Sequence, residues 1–371
     1  MIEVIHSVSI MNRAGQETLL MNIMRNIDLT KVHFSFLCSV DGEGDYDEEI
    51  RRLGGSIYDL GQCCLHRVKY LNYLGDIYVI YRFFSLHRCQ FQIFQIHNYH
   101  SFNAFLQVLG AKLARVPKII VHSHNSNALH PFLHSIFRKI LNRMNIECFA
   151  CSHLAAEWMF GNKGDKAYIV KNGIMVNDYV FDNQRRDRLR RQLGFQEGQL
   201  IVGHIGRFNY QKNHMFLLDI FKNIHLQDFE AKLILVGCGE LENSIKQRIK
   251  ELGLEHAVVL LGIRNDIPDL LCAFDVFLFP SLFEGLSVVL VEAQTTGLPC
   301  IISDTNSKEV KLTDNIHMLS LKAPVEEWAD AVLKYRNMQR HNNADIIRKQ
   351  GYDIKDTARI LCQKYENIIN E

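Results

Sequence analysis

The chain has no disulfide framework, no bilayer-length apolar run and, over one long stretch, almost no acid. Its ten cysteines are scattered through 371 residues, many of them within apolar runs (Cys38, Cys148, Cys272, Cys300). That distribution excludes a stapled secreted module and reads as buried thiols of a reducing cytoplasm. Cys63-Cys64 has no second Cys or His pair at zinc spacing beside it, so it reads as two free thiols. Without an apolar run that approaches bilayer thickness, an integral membrane protein is not expected. No signal peptide is visible, since Met1 to Val8 already reads as a core strand. The expected location is the cytoplasm, or at most a peripheral position on the inner face of the cell membrane. From Gly61 to Asn145 the only acid is Asp76, against ten Lys and Arg residues and eight histidines. The formal net charge is +1, so the rest of the chain is acidic on balance, and this polarity points to an anionic partner on one domain. Internal repeats and low-complexity segments are absent as well.

What the chain does have is length for two cores. A hydrophobic share of 47% and a charged share of 22% fit a globular protein. Apolar runs of β type stand at 2–8, 32–38, 55–60, 91–96, 118–122, 147–151 and 167–170. A second series stands at 200–205, 231–236, 257–261, 275–279, 299–302 and 316–319. Segments of helical period lie between them, as at Phe216, Leu217, Ile220, Phe221 and Ile224. This alternation predicts an α/β protein with parallel sheets covered on both faces. The turn at Asn172-Gly173 and a charged, solvated helix over 183–191 mark a hinge, which places one Rossmann-like domain at 1–175 and another at 176–353.

The densest chemistry lies in Asp275 to Ala293. An apolar run ends at Pro280, which cannot donate to a sheet ladder, and Gly285 permits a sharp turn. Ser287 is a suitable N-cap for the apolar helix that follows, so the amides near Leu286, Ser287 and Val288 are expected in a crevice at the carboxyl end of a strand. Anions bind at such places in open α/β sheets. Glu284 precedes this helix and Glu292 lies a little over one turn inside it. Two carboxylates beside an anion site point to a ligand carrying both phosphate and hydroxyls. Gly206-Arg207 and Lys212 follow the run ending at Ile205; a guanidinium fork and a mobile ammonium together suit a diphosphate. Gly237 and Gly239 make a Gly-x-Gly turn after another strand, consistent with turn chemistry or with nucleotide contact. His122 and His124 end a strand in the first half, with His97 and His100 as competitors for any role there. Asp45-Tyr46-Asp47 spells an Asp-x-Asp, but acids opening a helical segment explain it better than a metal does.

Together these blocks resemble the retaining glycosyltransferases of family 4, which have the GT-B fold. The resemblance rests on Glu284-x7-Glu292 with Gly285 after the first Glu, on Gly206-Arg207…Lys212, and on Gly237-Cys238-Gly239. Asn12-Arg13-Ala14-Gly15 resembles the N-terminal glycine loop, with Ala14 where a glycine often stands, and Val170 to Ile174 resembles the interdomain turn. The resemblance implies two Rossmann-like domains with parallel sheets facing a central cleft, and a last helix (354–371) that returns to the first domain. It implies a metal-independent hexosyltransferase or relative that needs no cofactor and takes a nucleotide-sugar donor, expected to be a UDP-sugar. Gly15, Arg207, Lys212 and the amides at Leu286 to Val288 would then meet the diphosphate, Glu284 the donor sugar, Glu292 the ribose, and His124 the sugar as active-site histidine. Gly237 and Gly239 would meet the nucleotide side. Attack from the face of departure would give retention. The acceptor would be a glycan or a lipid-linked saccharide, and the branch that of bacterial surface polysaccharides.

Rival readings are a catalytically silent partner subunit and a nucleotide-sugar-binding protein. A dinucleotide oxidoreductase fits less well, because Glu240 follows its glycines at once and Arg207 and Glu292 go unexplained. A nucleic-acid partner is not expected. Phe132, Leu133, Ile136, Phe137, Ile140 and Met144 fall at helical spacing beside Arg138, Lys139 and Arg143, a pattern for an anionic membrane surface or for simple packing on a sheet.

Overall fold

The computed structural model describes every residue except 14, 61–71, 99, 125–129, 285 and 337, together with the side chains of 72–74. Ala14, Cys63-Cys64 and Gly285 therefore lie outside the described residues. The chain forms two compact units, Met1–Gly173 with Ile354–Glu371, and Ile174–Asp353.

In the first unit seven strands form one sheet: β1 (Ile2–Val8), β2 (Val32–Cys38), β3 (Ile57–Asp59), β4 (Ile93–His97), β5 (Lys118–Ser123), β6 (Glu147–Ala150) and β7 (Tyr168–Ile169). Their order is β3-β2-β1-β4-β5-β6-β7, and every pairing is parallel. The second unit has β8 (Ile201–Ile205), β9 (Lys232–Val236), β10 (Val258–Gly262), β11 (Val276–Phe279), β12 (Cys300–Ser303) and β13 (Ile316–Leu319). Their order is β10-β9-β8-β11-β12-β13, again parallel throughout. Each run read from the sequence is a strand, and helices separate them as parallel crossovers require. Both sheets reverse direction of growth once, between β1 and β4 and between β8 and β11. Ligands of open α/β sheets bind outside the carboxyl ends of strands at such switch points, which locates the loops that matter.

The second unit buries apolar surface on both faces of its sheet. Val202, Leu233, Leu235 and Leu278 join one cluster with Phe221 and Trp328, while Ile201, Ile234, Phe277 and Phe279 join another with Leu290 and Ala293. The period of two along each strand divides the residues between the clusters. In the first unit only one face is wholly apolar. Ile5, Phe94, Ile96 and Val121 pack there, whereas their sequence neighbours His6, Gln95, His97 and His122 turn to the other face and are also buried. Tyr365 of the helix Ile354–Asn370 reaches that face and donates its hydroxyl proton to Gln95 Oε1 at 2.6 Å.

The helix Asn183–Gln192 corrects the reading of a merely solvated charged segment. Arg186 and Arg190 grip Asp275 at 2.5 and 3.1 Å and donate to the backbone carbonyls of Ala273 and its neighbours. Asp275 also accepts from the amide of Ile201 at 2.7 Å, so the arginines clasp the start of β8 to the end of the helix Ile267–Ala273. Guanidinium groups satisfy the last carbonyls of that helix, which a sequence pattern of exposed charge does not show. The eight described cysteines are free; Cys38, Cys272 and Cys300 are buried and Cys148 is half-buried. No described helix is long and apolar enough to cross a membrane.

Candidate active site

The loops after β8 and β11 are bolted together. Asn209 accepts from the Lys212 amide at 3.2 Å and so caps the 3₁₀ turn Tyr210–Lys212. Asn213 takes the left-handed conformation (φ 55°) and donates to the carbonyl of Pro280 at 3.2 Å. Gln211 donates to Phe283 O at 2.9 Å and accepts from the Leu282 amide at 2.8 Å. These contacts bring Lys212 Nζ to 2.6 Å from Glu284 Oε1, both side chains nearly buried, with Nζ 4.5 Å from the centre of the Phe279 ring. An ammonium has three protons to donate, so one bond to Glu284 leaves capacity for an anion.

Beneath them lie two neutral imidazoles. His204 donates from Nδ1 to Leu278 O at 2.8 Å, and its ring stands 4.8 Å from that of His214. Burial, with the neighbouring charge of Lys212, pushes His214 down to about 4, and burial with His214 beside it holds His204 well below the usual range. Two uncharged rings beneath Lys212 keep the local positive charge on the ammonium.

Arg207 is different in kind. Its side chain is 71% exposed and, among the described residues, pairs with an exposed Glu240 alone, at 3.2 Å. Such a pair is worth little in water, so the guanidinium is free to turn onto a ligand. The backbone around it is held firmly: Gly206 N donates to Val236 O at 3.0 Å and Phe208 N to Cys238 O at 2.8 Å. This lacing explains both glycines of the Gly-x-Gly turn. A Cβ on Gly237 (φ 137°) would lie 2.1 Å from Gly206 O, and one on Gly239 would lie 2.5 Å from Phe208 O. Close backbone approach demands glycine at both positions, and the positive φ demands it again at Gly237.

Ser287 stands at the N-cap of the helix Val288–Thr295, as expected, but its side chain makes no capping hydrogen bond. Leu286 is buried, and Ser287 and Val288 are half-buried. Glu292 accepts a hydrogen bond from the Tyr179 hydroxyl at 2.7 Å. Burial raises its carboxyl to about 7, with the Tyr179 bond opposing. The sequence reading missed Tyr179, which has no motif and lies 113 positions away. Glu292 is not in the Lys212–Glu284 pair; the pair and the Glu292–Tyr179 bond are separate arrangements of this unit.

In the first unit, His124 follows β5 and faces His97, with Nε2 2.7 Å from His97 Nδ1. His122 lies under it at a ring separation of 4.1 Å, and His6 Nδ1 lies 2.9 Å from His97 Nε2. Burial pushes His6 and His124 down to about 3, and His97 and His122 well below the usual range, so the whole row is neutral. His97 thus joins His124, whereas His100 is occupied in capping the helix Ser101–Leu113. The signal for this row was polar residues at period two in otherwise apolar strands. Gly15 opens the helix Gly15–Asn26, and no described residue beyond its chain neighbours lies within 4 Å of a Cβ placed on it. Asp47 is in the first turn of the helix Asp47–Arg52, and Asp45 accepts from the Arg13 amide at 3.0 Å. In the helix Pro131–Leu141, Phe132, Ile136 and Ile140 are exposed, while Phe137 packs against Phe102 and Phe105.

Known proteins resemble this chain in sequence and in fold. The family described as "Glycosyl transferases group 1" matches residues 185–353. "Putative glycosyltransferase EpsF" of Bacillus subtilis (strain 168) is 32% identical over 99% of this chain and 97% of its own length. "Capsular polysaccharide biosynthesis glycosyltransferase CapH" of Staphylococcus aureus is 24% identical over 98% of this chain and 99% of its own. Among solved structures, that of Anabaena Alr3699/HepE in complex with UDP and glucose superposes with a TM-score of 0.78 at 18% identity, covering 99% of this chain and 100% of that one. The two parallel-sheet units are accordingly those of the GT-B fold. With a whole-length relative at this level of identity, the chain belongs to the group 1 glycosyl transferases.

Proposed function

We propose that the chain transfers a sugar from a UDP-sugar to a glycan or lipid-linked saccharide, with retention at the anomeric carbon, in the synthesis of a bacterial polysaccharide. The observation that carries this reading is the Lys212–Glu284 pair at the switch point between β8 and β11, a cation and a carboxylate within 2.6 Å. A diphosphate beside Lys212 places its sugar within reach of Glu284. Arg207, exposed and weakly tied, turns onto the same diphosphate, and the amides of Leu286, Ser287 and Val288 and the Gly15 turn add donors. Glu292 accepts the ribose hydroxyls, Gly237 and Gly239 let the backbone approach the nucleotide, and His124 hydrogen-bonds the sugar. The donor class is supported by the UDP complex of HepE, and the polymer class by the name of CapH.

Catalysis is then chiefly electrostatic: positive charge is preorganised where the leaving diphosphate gains negative charge. The leaving phosphate takes the acceptor proton, and attack comes from the same face. Arg207 and Lys212 stand in for a cation, so the reaction needs no metal. The donor domain is 176–353 and the acceptor side is 1–175 with the helix at 354–371. We place the protein in the cytoplasm, with the exposed Phe132, Ile136 and Ile140 and the adjoining Lys139 and Arg143 resting on an anionic membrane surface. Arg138 is partly tied, donating to the carbonyl of Trp158 at 3.3 Å, and keeps its charge beside them.

A panel of nucleotide sugars tests the reading by thermal stabilisation and hydrolysis. One UDP-sugar should raise the melting temperature, and Lys212→Ala should abolish that rise. Equal responses to all nucleotides, or none to any, would overturn it.

A further inference from the structure

The row of histidines in the first unit has the makings of a metal site. His97 and His122 are partners in register on β4 and β5, so their side chains rise side by side from one face. His124, two residues beyond His122, completes a group in which one ring nitrogen from each residue lies within 4.8 Å of the other two. His97 and His122 are buried, and among the described residues His122 Nε2 has no hydrogen-bond partner.

Two of the three rings also have a polar group behind them. His6 Nδ1 lies 2.9 Å from His97 Nε2, and the Gln95 side-chain amide lies 3.0 Å from His122 Nδ1, itself backed by Tyr365. Metal-binding histidines nearly always hand their second ring proton to such a partner, which fixes the ring and raises its basicity.

We propose that His97 Nδ1, His122 Nε2 and His124 Nε2 bind a borderline divalent transition metal, Zn²⁺ above all, with a fourth position open. Three imidazoles without a carboxylate suit Zn²⁺, Cu²⁺ or Ni²⁺ and not Mg²⁺ or Ca²⁺. Zinc–nitrogen bonds of about 2.0–2.1 Å set tetrahedral ligand atoms roughly 3.3–3.4 Å apart. The His97–His124 contact of 2.7 Å therefore opens by a fraction of an ångström, a small side-chain rotation. The protons balance. The one between His97 and His124 moves to His124 Nδ1, His97 carries its own on Nε2 and donates to His6 Nδ1, and that of His122 moves from Nε2 to Nδ1. Gln95 turns its amide to accept from His122 and to donate to the Tyr365 oxygen.

A metal held here occupies His124. Resting on the role given to His124 above, the consequence is reversible inhibition of sugar transfer by zinc.

Cobalt titration of the full, chelator-stripped chain tests the site directly. Co²⁺ should saturate one site with the intense visible bands of four- or five-coordinate cobalt, and one equivalent of Zn²⁺ should bleach them. His122→Gln should weaken binding by at least about 100-fold, and Gln95→Met, which removes only the supporting partner, by about 10–100-fold. If His122→Gln melts well below the parent, His97→Leu carries the same reading. Weak, unsaturable octahedral-type bands, or a folded ligand variant that titrates like the parent, would overturn the proposal. Zinc that binds in this titration without slowing transfer refutes the role of His124 instead and leaves the metal site standing.

Discussion

UDP-sugar affinity should rise about tenfold from pH 6 to pH 8, and Glu292 should be the cause. Burial lifts its carboxyl from 4.5 to about 7, although Tyr179 donates to it. A carboxylate accepts both ribose hydroxyls, whereas a carboxylic acid must spend one oxygen as a donor, so the ligand selects the ionised form. With a midpoint near 7, the ionised fraction at pH 6 is about one-tenth of that at pH 8, worth about 1.4 kcal/mol of binding. The sugar diphosphate has no ionisation of its own in this range, so the slope belongs to the protein. In the free protein the sign is opposite. A raised carboxyl favours the folded state fully below its unfolded value of about 4.5, and that contribution is lost as pH rises through about 7. Glu292→Gln should therefore stabilise the free chain by about 1–3 kcal/mol at pH 8, discounted for its partial exposure, and hardly at all at pH 4.5. The same variant should bind the donor more weakly at pH 8 and lose most of the pH slope. Calorimetry across pH 6–8 in buffers of differing ionisation enthalpy reads affinity and proton release together. A flat affinity in the parent, or an unchanged slope in Glu292→Gln, would refute the assignment.

Arg207→Ala should lower kcat by about 10²–10³ with little change in melting temperature, since the side chain is exposed and its partner Glu240 is too; near-normal turnover would make Arg207 a surface residue only. Transfer should persist in excess chelator, and a loss rescued by Mg²⁺ or Mn²⁺ would return Asp45 and Asp47 to consideration. Binding to anionic vesicles at low salt should fall steeply as salt rises, and Lys139→Glu with Arg143→Glu should weaken it at unchanged stability; equal binding to neutral vesicles would rule out the membrane role. Gly237→Ala should cost about 1–3 kcal/mol in urea unfolding, because a Cβ there meets Gly206 O at 2.1 Å in a backbone conformation side chains avoid.

The parallel architecture was legible because its signals are short-range. Apolar runs of four to seven residues separated by helical periods can be counted along the chain, and each proved to be a strand. The loops after β8 and β11 were legible for the same reason: glycine, arginine, lysine and glutamate directly after a strand sit at a carboxyl end wherever that strand lies. Ser287 was legible as a cap position but not as a capping bond, since that depends on the rotamer its neighbours allow.

Sequence alone thus determined what each segment is and which end of a strand its polar residues occupy. Which strands are neighbours was decided only by the tertiary structure. Placing β8 beside β11 joins Lys212 to Glu284 across 72 positions, and placing β4 beside β5 stacks His97 on His122 and His124. Tyr179 meets Glu292 across 113 positions and Tyr365 meets Gln95 across 270. A polar residue on an apolar strand states that it needs a partner, because burying it unpaired is costly. The partner's identity is set by packing of the whole unit, which no local pattern contains.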